Sequence, residues 1–301
     1  MQRQANERAG FNGNGPEKLK HIMSRRDAVI VPGVANALFA RVVEDLGYEA
    51  LYVTGAGIAN MHLGAPDIGL VTLTEVASIV SVISDAVSLP IIVDADTGFG
   101  NPVNMVRTIR ILERAGAAGI QIEDQVFPKK CGHFTGKDVI STEEMVQKIK
   151  AAVDSRHDQK LQIIARTDAR AVQGLDAAID RAQAFVEAGA DVIFVEAPLN
   201  EAEMARIGRE IKAPHIANIV FGGLTPEIPR ERLKDMGFSV ALYANAALQA
   251  ALKSVREVLD VLQKEGSLVS VRDRLASFEE RQRSVDKDRY DALEKRYAVG
   301  A

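Results

Sequence analysis

Residues 174–198 read GLDAAIDRAQAFVEAGADVIFVEAP: a helix-period segment, a glycine stop and a run of apolar residues in direct succession. Gly189 stands where a helix C-cap is expected, and VIFVEAP (192–198) follows as a strand. Its apolar run is continuous rather than alternating, which is the pattern of a parallel strand covered on both faces. The same order recurs upstream. VNMVRTIRILERAG ends at Gly116 before GIQIEDQ (119–125), and ANALFARVVEDLG ends at Gly47 before ALYVTG (50–55).

Five further strand candidates extend the series: VIVPG (29–33), IIVDADTG (91–98), QIIARTDA (162–169), HIANIVFGG (215–223) and SVALYANA (239–246). Eight strands in this rhythm predict an α/β protein, a (β/α)8 TIM-type barrel. A doubly wound sheet would open on a Gly-rich phosphate turn, and no G-x-G-x-x-G follows the first strand. Residues 1–18 are expected to be a flexible N-terminal segment, 19–250 the barrel, and 251–301 a C-terminal helical extension. The helix from Ala246 to Glu265 and the charged tail from Arg272 to Tyr297 exceed what a barrel needs. They point to packing on another subunit, with a solvated appendage as the alternative.

The net charge of −4 and the interspersed Lys, Arg, Asp and Glu give no basic field, so neither nucleic acid nor an anionic membrane is an expected partner. The start MQRQANERAG lacks an apolar leader and no apolar stretch is long enough to span a bilayer, so a cytoplasmic location is expected. The single cysteine excludes an intrachain disulfide and leaves its thiol available for chemistry.

Barrel enzymes carry their reactive groups at the C-terminal ends of the strands. Here those ends are acidic: Asp94 and Asp96 after strand three, Glu123 and Asp124 after strand four, and Glu196 after strand six. The i, i+2 spacing puts Asp94 and Asp96 on one face. Converging carboxylates call for a cation, and oxygen ligands suit Mg²⁺ or Mn²⁺. Zinc is disfavoured, because the five histidines show no ligand spacing. Arg166, with Asp168 after strand five, can grip a substrate carboxylate or pair with the surrounding acids. The turn Thr54-Gly55-Ala56-Gly57 offers backbone N–H groups to an anion, and Asn218 ends strand seven. No lysine lies on a strand candidate, which argues against a Schiff-base aldolase and for metal-stabilised enolate chemistry with a separate acid or base. That group is expected on the loop PKKCGHFTGK (128–137), where Lys129, Lys130 and His133 flank Cys131 and would depress its thiol pKa, and Gly132 and Gly136 would let the loop close.

The stretches LGAPDIG (63–69), VDADTGFG (93–100), AGAAGIQIEDQVFPKKCGH (115–133), ARTDA (165–169) and GLDAAIDRAQAFVEAGAD (174–191) resemble the isocitrate lyase and phosphoenolpyruvate mutase superfamily, in its methylisocitrate lyase and 2,3-dimethylmalate lyase branch. The resemblance implies that Asp94 binds Mg²⁺ most directly, with Asp67, Asp96, Glu123 and Glu196 around it through water. It implies that Thr54, Gly55 and Ala56 hold the carboxylate of a 2-oxo acid, with Tyr52 beside them. Arg166, Glu196 and Asn218 would then grip the substrate, and Lys129, Cys131, Gly132 and His133 would form a gating loop. It also implies a homotetramer with helices exchanged between subunits.

The expected function is Mg²⁺-dependent carbon–carbon cleavage of a 2-hydroxy di- or tricarboxylate to pyruvate or glyoxylate plus a carboxylate, with Cys131 as proton donor. Phe221, after strand seven, points to a malate-like rather than citrate-like substrate. Phosphonopyruvate or carboxyphosphonoenolpyruvate phosphonomutase chemistry and oxaloacetate hydrolysis or decarboxylation are the alternatives within the enzyme class. A barrel retained for binding alone, and a phosphate-binding barrel using Gly222-Gly223, are the others.

Overall fold

The computed structural model describes residues 14–299 except His133 and Thr135. Eight parallel strands occur in the expected order: β1 (Val29–Val34), β2 (Leu51–Val53), β3 (Ile91–Asp94), β4 (Gly119–Glu123), β5 (Gln162–Thr167), β6 (Val192–Val195), β7 (Ile216–Asn218) and β8 (Val240–Tyr243). Consecutive strands pair from β1 to β6, β1 also pairs with β8, and β8 with β7. A single parallel bridge between Ile193 and His215 joins β6 to β7, with Ile193 N donating to Pro214 O at 2.9 Å. The sheet is therefore a nearly closed barrel.

Helices cover its outside: α1 (Gly15–Arg25), α2 (Ala37–Asp45), α3 (Gly55–Ile58), α4 (Leu73–Ala86), α5 (Pro102–Arg114), α6 (Thr142–Ser155), α7 (Ala169–Gln173), α8 (Leu175–Glu187), α9 (Glu201–Glu210), α10 (Arg230–Asp235), α11 (Ala246–Glu265), α12 (Phe278–Ser284) and α13 (Lys287–Tyr297). Their starts are chemically marked. Thr72 and Glu75 form a reciprocal capping box at α4, and Ser141 caps α6 through Glu144 N. Gly47, Gly116 and Gly189 take the positive φ values expected of helix stops.

The two sides of each strand have separate fates. Ile91, Val93, Ile120, Ile122, Ile163 and Ala165 face the helices, whereas Val31, Tyr52, Ile92, Ile164, Phe194, Ile216 and Leu242 pack together inside the barrel. Leu19, Ile22 and Met23 of α1 join this inner cluster and close the N-terminal end of the barrel. A Cβ on Gly119 would stand only 2.7 Å from Leu19. Helix α1 thus starts inside the segment expected to be flexible (1–18), because its apolar face has a barrel floor to cover; residues 1–13 lie outside the described residues. At the other boundary α11 runs unbroken across residues 250 and 251, so the extension is continuous with the last barrel helix. Among the described residues, no helix is long and apolar enough to cross a membrane.

Candidate active site

The two-residue strand repeat carries the inward face into the barrel mouth: Ile92 leads to Asp94, Gln121 to Glu123, Ile164 to Arg166, Phe194 to Glu196 and Ile216 to Asn218. Asp94 is held from three sides. Its Oδ1 accepts from Asp96 N (3.2 Å) and Gln121 Nε2 (3.1 Å), and its Oδ2 from Gly55 N (3.2 Å). Tyr52 donates its hydroxyl to Gln121 Oε1 at 2.6 Å, and burial next to Asp94 pushes the phenol well above its ordinary pKa. Thr54 caps α3 by accepting from Gly57 N (3.2 Å), and its hydroxyl lies 3.5 Å from Asn245 Oδ1. The N–H of Gly55, expected to face a substrate carboxylate, is thus engaged by Asp94.

Lys129 pairs with acids of the barrel mouth. Its ammonium sits between Asp67 (2.5 Å) and Asp96 (2.7 Å), almost fully buried. Burial opposes that charge, yet Asp96, Glu123, Asp94 and Asp67 together hold its pKa well above the usual lysine value. Burial pushes Asp96 up to about 7 despite Lys129, with Asp94 and Asp67 adding repulsion. Asp96 also has a φ of +46°, a strained conformation for a residue with a side chain. Burial likewise raises Glu123 well above the carboxylate range, against the pull of Arg166 and Lys129.

Arg166 lies against the Phe194 ring, 5.2 Å from its centroid, and is ringed by acids. Its Nε and Nη2 meet Asp168 Oδ2 and Oδ1 (2.9 and 3.2 Å), while Glu123 and Glu196 stand at 3.4 and 3.5 Å. Although burial alone would raise it, the Asp168 carboxyl is held at about 2 by Arg166 and Lys137. Asn218 Nδ2 lies 3.4 Å from both Glu196 oxygens.

The segment after β4 returns over this group. Cys131 N donates to Asp67 O (3.1 Å), and its half-buried thiol borders a cavity of about 30 Å³ shared with Tyr52, Thr54, Ala56, Asp67, Asp94, Lys129, Gly132, Arg166, Glu196 and Asn218. Gly132 packs so tightly that a Cβ there would stand 2.4 Å from Arg166 Nη2 and 2.7 Å from Glu196 Cδ. Of the two lysines expected to act on the thiol, Lys129 also pairs with Asp96, and Lys130 Nζ donates to Gly136 O at 2.7 Å. His133 lies outside the described residues. Phe221 is 75% exposed, while Val220 lines the cavity.

Four participants escaped the sequence reading: Gln121, Phe194, Lys137 and Asn245. Gln121 was within reach, because it precedes Glu123 by two positions on the same face. Asp124 has the opposite parity and points outward, where its Oδ2 takes Arg181 Nε and Thr167 Oγ1 (2.9 and 2.7 Å).

Among the described residues, no group of three or more His, Cys, Asp or Glu side chains is placed to chelate a metal by itself. Much of the carboxylate repulsion that called for a metal is relieved by Lys129. The donor set nevertheless fits a hard cation that keeps most of its water: buried oxygen ligands, a glycine at 55 whose Cβ would stand 3.0 Å from Asp94 Oδ2, and Glu123 Oε1 buried without a hydrogen-bond partner.

Comparison with known proteins agrees with this geometry. The family model described as phosphoenolpyruvate phosphomutase matches residues 19–262. The chain is 42% identical over 287 residues to 2,3-dimethylmalate lyase of Eubacterium barkeri, covering 95% of this chain and 99% of that protein. It is 47% identical over 257 residues to 2-methylisocitrate lyase of Aeropyrum pernix, covering 85% and 82%. A crystal structure of 2,3-dimethylmalate lyase, described as a PEP mutase/isocitrate lyase superfamily member, superposes with a TM-score of 0.89 at 32% identity, covering 95% and 96% of the two chains. A phosphonopyruvate hydrolase solved with oxalate and Mg²⁺ superposes with a TM-score of 0.84 at 28% identity, covering 94% and 99%. With its whole barrel matched, this chain belongs to the phosphoenolpyruvate phosphomutase family and is an enzyme of the PEP mutase/isocitrate lyase superfamily.

Proposed function

We propose that the protein is a carbon–carbon lyase that cleaves a small 2-hydroxy dicarboxylate of the 2,3-dimethylmalate type to a 2-oxo acid, pyruvate or glyoxylate, and a second carboxylate. One observation carries the reading: the only cysteine borders a small cavity together with Asp94, Arg166 and Glu196. The apolar residues Val220, Leu242 and Ala244 on the same cavity favour a compact, partly apolar distal group over a third carboxylate. The 2-methylisocitrate type is the second reading, supported by the Aeropyrum pernix relative. Phosphonate and oxaloacetate chemistry remain the rival readings.

In this reading Arg166 holds a substrate carboxylate, kept in orientation by Asp168 on one edge and Phe194 beneath. Thr54, Gly55 and Ala56 line the side where the 2-oxo acid carboxylate rests, beside Tyr52. Asn218 with Glu196 orients the other end. Asp94 would hold Mg²⁺ or Mn²⁺, with Asp67, Asp96 and Glu123 acting through water. The cation would supply charge stabilisation for the 2-hydroxyl and carboxylate oxygens. Lys129 keeps the surrounding acids from repelling one another. A carboxylate at the barrel mouth takes the 2-hydroxyl proton, and the oxygen forms the new carbonyl as the C2–C3 bond breaks. The C–C electron pair leaves on the departing carboxylate, which takes its proton at carbon from Cys131 Sγ while Gly132 over Arg166 excludes water. The substrate partner is a small carboxylic acid, and the assembly is a homotetramer with C-terminal helices exchanged between subunits, in the cytoplasm.

The test supplies 2,3-dimethylmalate, 2-methylisocitrate, citramalate, isocitrate, oxaloacetate and phosphonopyruvate in turn, with Mg²⁺ and with EDTA, reading 2-oxo acid by a coupled dehydrogenase and phosphate by phosphorus NMR. Metal-dependent release of 2-oxo acid from dimethylmalate, several-fold faster than from the others, is expected. Turnover of phosphonopyruvate or oxaloacetate alone would sink the lyase reading.

A further inference from the structure

Lys137 sits six residues beyond Cys131 and has no place in the chemistry above, yet its side chain is only 2% exposed. A buried ammonium needs partners to offset its lost hydration. Lys137 has two, from different parts of the fold. Its Nζ donates to the carbonyl oxygen of Gly132 and lies 2.8 Å from Asp168 Oδ1. That same Oδ1 accepts from Arg166 Nη2 at 3.2 Å, while Oδ2 accepts from Arg166 Nε at 2.9 Å. One carboxylate therefore joins the cation from the loop to the cation from β5.

Asp168 does not need Lys137 to stay in place, since Arg166 already grips both its oxygens and Asp124 Oδ1 accepts its backbone N–H at 2.9 Å. The Gly132 carbonyl gains most from the contact, because Lys137 gives it a charged donor while the glycine's α-carbon lies directly on Arg166 and Glu196. A compact ammonium on a flexible stem suits the task, because its three N–H bonds can serve acceptors in separate directions.

We propose that Lys137 is a positioning residue: it ties the Gly132 carbonyl to the Asp168–Arg166 pair and so holds the Cys131 backbone against the substrate carboxylate site. The inference rests on the roles given above to Arg166 and Cys131. It makes the placement of the proton donor and the orientation of the guanidinium a single linked arrangement. Loss of the ammonium releases Cys131 while leaving Arg166 paired with Asp168, so substrate binding suffers less than turnover.

The test compares Lys137→Met and Lys137→Arg with the full-length wild type. Two quantities are read: kcat and KM for the preferred acid, and the second-order rate of alkylation of the sole cysteine by iodoacetamide, followed by intact mass without substrate. For Lys137→Met, kcat falls roughly 10- to 100-fold with KM changed by no more than about 3-fold, the scale of a misplaced reacting group. Its alkylation rate changes at least about 5-fold, and Lys137→Arg restores most of both values. A folded Met variant with both quantities within two-fold of wild type overturns the proposal. Should that variant fail to fold, Lys137→Gln replaces it; altered alkylation there supports the proposal and unaltered alkylation rejects it. Alkylation is independent of the substrate's identity, so a failed lyase reading and a failed role for Lys137 give different results.

Discussion

In the proposed reaction Cys131 is the proton donor. Serine at this position preserves the backbone contact to Asp67 O but supplies a much weaker acid. Cys131→Ser is expected to lower kcat by roughly 10²- to 10⁴-fold, the usual value of a positioned proton donor. Metal affinity, read by calorimetry, stays within two-fold. Undiminished turnover would remove the thiol from the reaction. His215 sets a different kind of behaviour. It is 1% exposed, donates its Nε2–H to Ile211 O (3.1 Å), and packs at an angle on Phe238. Burial, with Arg26 nearby, lowers its pKa from 6.5 to about 4. Well above pH 6.5 neither folded nor unfolded chain is protonated here, so this residue adds no pH slope there. As pH falls from 6.5 toward 4 the unfolded chain takes a proton that the native one refuses, and stability drops by roughly 3 kcal/mol in total. His215→Phe should flatten that part of the curve in urea titrations at pH 7, 5.5 and 4.5. An unchanged slope would show that other groups control acid unfolding.

At the scale of elements, the strand ends show what a linear pattern can reveal. The strand-end positions of Asp94, Arg166 and Glu196 are legible in the sequence, and alternation along β3, β5 and β6, a local property of an extended chain, turns them inward. Asp124 shows the reverse side of the same rule. One position out of phase with Glu123, it joins β4 to α8 through Arg181 and to β5 through Thr167 and Asp168 N. Asp124→Asn leaves the Arg181 charge buried without its counterion, which should cost about 3–5 kcal/mol and lower Tm by roughly 6–20 °C. A calorimetric Tm within two degrees of wild type would mean that the pair contributes little. The loop after β4 was less legible. The sequence shows Lys129, Lys130 and Cys131 adjacent, and adjacency suggested mutual influence. An irregular chain sends neighbouring side chains in different directions, and here Lys129 pairs with Asp67 and Asp96 while Lys130 donates to the Gly136 carbonyl.

For the whole molecule, the unresolved question of the extra helices becomes a matter of surface. Along α11, Leu252, Val255 and Leu259 are each more than half exposed and, with Leu262, recur at three- and four-residue intervals on one face. Phe278 in α12 is 72% exposed. Such a stripe on one chain calls for a covering partner. Sedimentation velocity is expected to show a species near four times 32.6 kDa. Leu252→Glu combined with Leu259→Glu should shift it to smaller species with the barrel still folded by circular dichroism. A wild-type protein that sediments at 32.6 kDa at micromolar concentration would reject the tetramer.

The linear chain by itself determined the order of strands and helices, the glycine stops, and the inward face on which Asp94, Glu123, Arg166, Glu196 and Asn218 lie, because each follows from propensity and periodicity over a few residues. Only the tertiary structure decided which charge meets which: Lys129 with Asp67 and Asp96, Lys137 with Asp168 and Gly132, Asp124 with Arg181. Most of these partners are separated by tens of residues and are brought together only by barrel closure, so no short-range pattern encodes them.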